Sequence, residues 1–202
     1  MKKKKLIIYI FLSILIIFVV LIFFRKIRAK KVQIGNNSTS QEIIDYILNV
    51  KSYEATIEVE IKKSNNISKY KIKQIYDIDK INSQEILEPS NIQGVKIIKE
   101  GKNLKIENTK LNLVSIFENY EYVSDNNLDL CTFLKEFKNN KNIKYEENEK
   151  EVIMKIIGEE KNKIQKTLYI NKKDGIPIKM GIEDYNKNIS VNILYNEVKV
   201  NS

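Results

Sequence analysis

Tyr53, Ala55, Ile57, Val59 and Ile61 share one parity along the chain, and Glu54, Thr56, Glu58, Glu60 and Lys62 share the other. Successive side chains of an extended strand point to opposite faces, so this alternation predicts a strand over residues 53–63 with one face buried. Each large apolar side chain on that face contributes about 1.5–3 kcal/mol when fully buried. Upstream the period changes. Ile43, Ile44, Ile47 and Leu48 recur at helical spacing, which predicts a helix over residues 40–50. Thr39, three residues before Glu42, supplies a capping box for it. A second helix is predicted over residues 130–138, where Leu130, Phe133, Leu134 and Phe137 form an apolar stripe and Asn127 or Asp129 can cap.

The other segments read as strands. Residues 68–77 return after a turn at SNNI and put Tyr70, Ile72 and Tyr76 on one face. Residues 81–87 give a third strand, which Pro89 stops. Residues 95–99 and 104–107 flank EGKN as a hairpin. Residues 143–145, 151–157 and 165–170 follow, with a turn at KKDG. Ile178, Met180 and Ile182 then share a parity, as do Ile189, Val191, Ile193 and Tyr195. Val198 and Val200 have the opposite parity, so a β-bulge near Asn196 is expected. The sum is an α+β fold: a strongly curved antiparallel sheet, a half-barrel, packed on two amphipathic helices. Such a sheet can enclose an apolar groove. The candidate groove or core residues are Tyr53, Ile57, Val59, Ile72, Leu130, Phe133 and Phe137.

Neither period holds at residues 6–24, LIIYIFLSILIIFVVLIFF, which carry no charge and no helix breaker. As a helix rising about 1.5 Å per residue they would extend roughly 28 Å, against about 30 Å for the hydrocarbon core of a bilayer. Leu6, Ile10, Leu15, Val20 and Phe24 mark this anchor. It is longer than a secretory signal's apolar region and no small-residue cleavage site follows, so an uncleaved signal anchor is expected. Basic residues flank it on both sides; the short tail before it favours an N-terminus inside and the following domain outside the cytoplasm. The expected organisation is an N-terminal transmembrane anchor with basic flanks over residues 1–31, a linker over 32–39 and one domain over 40–202.

This segment also accounts for the charge. The chain has 35 basic and 26 acidic residues, a formal net charge of +9. Nine of the basic residues lie within the first 31 positions, and the remainder is balanced. A neutral domain has no bulk attraction for nucleic acid, and none is expected as a partner. Abundant Lys, Ile and Asn fit an AT-rich genome and carry little functional meaning. The chain has no histidine, which removes the usual general base near neutral pH and the commonest metal ligand. Cys131 is the sole cysteine, so no internal disulfide can form. At the edge of the second helix's stripe it reads as a half-buried structural thiol. The adjacent carboxylates Glu159 and Glu160 would point to opposite faces of a strand, a poor arrangement for a shared site. No catalytic residue, cofactor or metal ligand is assigned, and a hydrolase ranks last among the readings.

The YEATIEVEIKK strand, Pro89 followed by Gly94, the EGKNLKIEN hairpin and the LYINKKDGIPIK hairpin, in this order, resemble the LolA/LolB lipoprotein-carrier superfamily. The likeness covers most of residues 40–202 and implies a curved antiparallel sheet wrapped around helices. Within that superfamily, ENYEYVSDNNLDLCTFLKEF is most similar to the germination lipoprotein GerS group of clostridia. That resemblance implies a non-enzymatic protein of sporulation and germination that supports a spore-cortex N-acetylmuramoyl-L-alanine amidase of the CwlD type. The sequence departs from the group in lacking a lipobox cysteine, with the apolar anchor in its place. A lipid or lipoprotein carrier, with a lipid as ligand, and an envelope-stress sensor of the RseB type stay open as alternatives.

Overall fold

The computed structural model describes residues 34–35, 37–78, 82–119, 128–158, 164–184 and 189–201. The chain divides into two units, Met1–Gln33 and Ile34–Ser202. The first, with the expected anchor, lies outside the described residues. Among the described residues no helix is long and apolar enough to cross a membrane.

Helix α1 spans Ser40–Leu48. The expected capping box is present: the Glu42 N–H donates to Thr39 Oγ1 at 3.3 Å and the Thr39 N–H to Glu42 Oε2 at 2.8 Å. The helix ends two residues short of the expected Val50. Asn49 takes over, donating its side-chain N–H to Asp45 O at 2.8 Å and so satisfying a last-turn carbonyl. Val50 is buried, and the Lys51 N–H donates to Asn201 O at 2.9 Å, already in register with the sheet.

Six strands follow as a meander: β1 (Ser52–Lys63), β2 (Asn66–Asp77), β3 (Asn82–Glu88), β4 (Val95–Glu100), β5 (Asn103–Asn108) and β6 (Leu113–Phe117). Helix α2 (Leu130–Asn139) precedes a second meander of β7 (Ile143–Glu147), β8 (Glu151–Ile157), β9 (Ile164–Asn171), β10 (Pro177–Asp184) and β11 (Ile189–Asn201). β11 pairs antiparallel with β1, which joins both meanders into one sheet of order β6-β5-β4-β3-β2-β1-β11-β10-β9-β8-β7. The sheet curves without closing: β6 and β7 form its two ends.

The inward residues of β1 and β2 meet in register, with Tyr53 opposite Tyr76 and Ile57 opposite Ile72. On the other arm Met154, Leu168, Met180 and Ile193 line up across β8, β9, β10 and β11, all fully buried. Both helices lie against β8 and against each other. Ile43, Ile44 and Ile47 of α1 and Leu130, Phe133, Leu134 and Phe137 of α2 fill the space they share with the sheet. Lys166 of β9 is itself buried and donates from Nζ to both carboxylate oxygens of Glu136, 2.6 Å each, fastening α2 to the sheet.

The expected bulge is present. Glu54 pairs with Lys199 but Thr56 with Asn196, so β11 carries one extra residue, and Glu197 there has a φ of 51°. The insertion resets the parity, so Val198 and Val200 pack against the same core as Ile193 and Tyr195. A second bulge corrects the reading of β10. Pro177 pairs with Ile170 and Lys179 with Tyr169, so Ile178 is the extra residue and does not share the buried row of Met180 and Ile182. β6 is a strand that the alternation does not announce, because all five of its residues are exposed.

A candidate binding cavity beside the second helix

A cavity of about 330 Å³ opens between strands β2 to β5 and the start of α2. Strand register builds its wall. Gln74, Gln84, Ile97 and Ile106 face one another across β2, β3, β4 and β5. Asn82, Lys99 and Leu104 form the adjoining row. Thr132 and Lys135 line it from α2, where they lie one helical turn apart. The cavity thus has an aliphatic wall, an amide row and two lysines.

Its floor is a polar cluster at the helix start. Tyr53 Oη donates to Asp129 Oδ1 at 2.5 Å, and Gln74 Oε1 lies 3.1 Å from the same hydroxyl. Gln74 Nε2 donates to Leu128 O at 3.2 Å. Asp129 is the N-cap of α2: its Oδ1 also accepts the Cys131 N–H at 3.1 Å. Loss of water around Asp129 raises its carboxyl above the ordinary range, against the lowering effect of the Tyr53 hydroxyl, the Cys131 N–H and the charges of Lys135 and Lys99. Burial, then the charge of Asp129, keeps the Tyr53 phenol neutral. Burial and the same carboxylate also push the Cys131 thiol up, away from the reactive thiolate. The Tyr53 and Tyr76 rings stack 5.7 Å apart, and the buried Tyr195 hydroxyl has no hydrogen-bond partner among the described residues.

The seven residues proposed from sequence for groove or core are all buried, but they do not share one place. Tyr53 lines the cavity. Ile57, Val59 and Ile72 belong to the sheet side of the core, and Leu130, Phe133 and Phe137 to the helix side, with the two phenylalanine rings 6.0 Å apart. Leu6, Ile10, Leu15, Val20, Phe24, Glu159 and Glu160 lie outside the described residues. Sequence reasoning missed Gln74, Gln84, Lys99, Asp129's second role, Thr132 and Lys135. One signal was available: Gln74 is a polar residue at an inward position between Ile72 and Tyr76, and it is 1% exposed. Cys131, expected half-buried, is 5% exposed.

The cavity offers hydrogen-bond donors and acceptors, two ammonium groups and apolar surface, which suit binding. Among the described residues no three His, Cys, Asp or Glu side chains are grouped to hold a metal ion.

The fold is shared with solved structures. An uncharacterized conserved protein from Thermus thermophilus is similar at 15% identity and a TM-score of 0.50, covering 82% of this chain and 89% of that one. The LolA superfamily protein NE2245 from Nitrosomonas europaea is similar at 10% identity and a TM-score of 0.41, covering 82% and 94%. The structure of the CwlD amidase from Clostridioides difficile in complex with the GerS lipoprotein contains a chain similar at 20% identity and a TM-score of 0.43, covering 82% and 95%. No curated protein matches the chain by sequence. The model of the family described as sporulation protein YdcC-like matches residues 3–202, and the chain belongs to that family.

Proposed function

We propose that this chain is a membrane-anchored, extracytoplasmic binding protein of sporulation that supports a CwlD-like spore-cortex amidase rather than acting as an enzyme itself. The observation that carries the reading is the sporulation family match across residues 3–202. The sequence resemblance to the GerS group supports the choice of partner. The buried cluster supports a binding role, since burial holds its thiol and the Tyr53 phenol in their protonated, unreactive forms. The apolar residues 6–24, flanked by basic residues on both sides, support the anchor.

Affinity capture of the full chain with a co-expressed spore-cortex amidase tests the partnership. Co-purification, and a loss of cortex muramic lactam when the gene is deleted, are the expected results. Failure of capture together with normal lactam content overturns the reading. Protease treatment of intact protoplasts tests the orientation, with digestion of the domain expected and protection refuting it. A second reading, a lipid in the cavity, is favoured by the aliphatic wall of Ile97, Leu104 and Ile106 beside Lys99 and Lys135. Native mass spectrometry of the detergent-extracted chain separates the two, because a retained lipid adds its mass.

A further inference from the structure

Gly181 lies in the interior of β10, where a glycine weakens the strand and supplies no side chain to pack. Nothing within the fold requires it. Its backbone is not left-handed, and a Cβ added there would meet no atom within 4 Å. Lys179, Gly181 and Glu183 share the outward parity of β10, with the buried Met180 and Ile182 between them. Across the ladder Gly181 faces Thr167 of β9 and Asn192 of β11, and Lys179 faces Tyr169. The missing side chain leaves a socket of about 220 Å³ among these residues, on the outer face of the sheet. That is smaller than the roughly 300–1,000 Å³ of drug-sized sites and suits a single small ring. Thr167, although it faces outward, is only 9% exposed and forms the floor.

The rim of the socket has unused bonding capacity. Lys179 Nζ lies over the Tyr169 ring, 5.5 Å from its centroid, and meets no carboxylate among the described residues. Lys155, by contrast, is held by Glu146 at 2.7 Å. The side chains of Asn192 and Glu183 also have no hydrogen-bond partner among the described residues. An ammonium on one side of Gly181 calls for an anion, and a carboxylate on the other accepts from hydroxyl groups. The Asn192 amide both donates and accepts, as a second amide does. We propose that this socket binds an N-acetylated sugar carrying a free carboxylate. The carboxylate meets Lys179, the acetamido group meets Asn192, and ring hydroxyls meet Glu183 and Thr167. Lys179 and Asn192 also border a larger groove of about 830 Å³ that reaches Glu58 and Glu60 of β1, so the ring can belong to a chain of sugars. The choice of N-acetylmuramic acid among such sugars rests on the amidase partnership proposed above. Hydrolysis of the N-acetylmuramoyl–L-alanine amide leaves the amine on the peptide and a free carboxylate on the sugar, so the socket matches the product and not the amide.

Titration of the full chain in detergent, read from the NMR signals of the sugar, tests this. N-acetylmuramic acid should bind at least about tenfold more tightly than its lactyl amide, because only the free acid makes an ionic contact with Lys179. Lys179→Gln should bring the two probes to equal affinity. Gly181→Val should abolish binding of the acid and leave the unfolding midpoint unchanged or higher, since its methyl groups enter open space and suit a strand. Equal binding of acid and amide by the parent chain, or undiminished binding by Gly181→Val, would overturn the proposal. Absence of sugar binding together with loss of amidase capture in Gly181→Val would also overturn it, and would give the socket to a protein side chain. Capture of the amidase by the parent chain separates the two readings. Binding of the acid without capture supports the socket and removes the amidase; capture without binding of the acid removes the socket alone.

Discussion

Asp129 combines two demands on one side chain. It caps α2 and takes the Tyr53 hydroxyl, and it does so in a setting that opposes its charge. Its folded pKa is raised above the ordinary 3.8, so the folded state holds a proton that the unfolded state has released. Stability from this group is therefore greatest below that value and is lost as pH rises toward the folded pKa. Asn at this position keeps the cap and the acceptor but cannot titrate. The expected result is that the stability difference, parent minus Asp129→Asn, falls as pH rises from about 3 through the acidic range, read by urea midpoints. Tyr195 gives the complementary case. Its buried hydroxyl has no partner among the described residues, and leaving such a group unsatisfied costs about 1–3 kcal/mol. Tyr195→Phe should be neutral or stabilising in the same measurement; a loss of stability would show that the hydroxyl is satisfied in solution.

At the scale of elements, the local signals that hold are those whose partners are close in sequence. The Thr39–Glu42 box is one, and its loss in Thr39→Ala should cost about 0.5–2 kcal/mol in chemical denaturation. The β11 bulge is another: the parity switch after Tyr195 is visible because the core needs Val198 and Val200 on its side. The bulge forces Glu197 to a φ of 51°, where glycine carries less steric cost. Glu197→Gly should therefore stabilise the domain by up to about 1 kcal/mol, seen as a higher unfolding midpoint. The bulge at Ile178 leaves no such trace, because Ile178, Met180 and Ile182 alternate correctly by residue type. Parity alone cannot report an extra residue when both neighbours on the ladder are apolar.

For the molecule as a whole, the central fact is the pairing of β1 with β11. It joins two meanders of local hairpins through a contact between opposite ends of the domain, and α1 and α2 fill the hollow between the arms. Phe133 sits where helix meets sheet and is 1% exposed, so Phe133→Ala should cost about 3–5 kcal/mol and shift the whole cooperative transition. The charge asymmetry belongs to this scale too. The nine basic residues of the first 31 flank the apolar residues 6–24 proposed as the anchor, and that apolar stretch should make the full chain resist alkaline carbonate extraction from membranes, whereas a chain lacking residues 1–31 should be released.

The sequence by itself determined the faces of the alternating strands apart from Ile178, both helices with the Thr39 cap of the first, the α+β class and the family likeness. These follow from period, capping chemistry and composition, all of which act between near neighbours. It did not determine the cavity. Gln74, Gln84, Lys99 and Asp129 come from four separate segments, and only strand register and the docking of α2 bring them to one wall. Nor did it distinguish groove from core among Tyr53, Ile57 and Phe133, because an apolar inward position looks the same whether a helix covers it or a cavity does. The end strand β6 was hidden for the opposite reason: with neither face buried, no alternation was required of it.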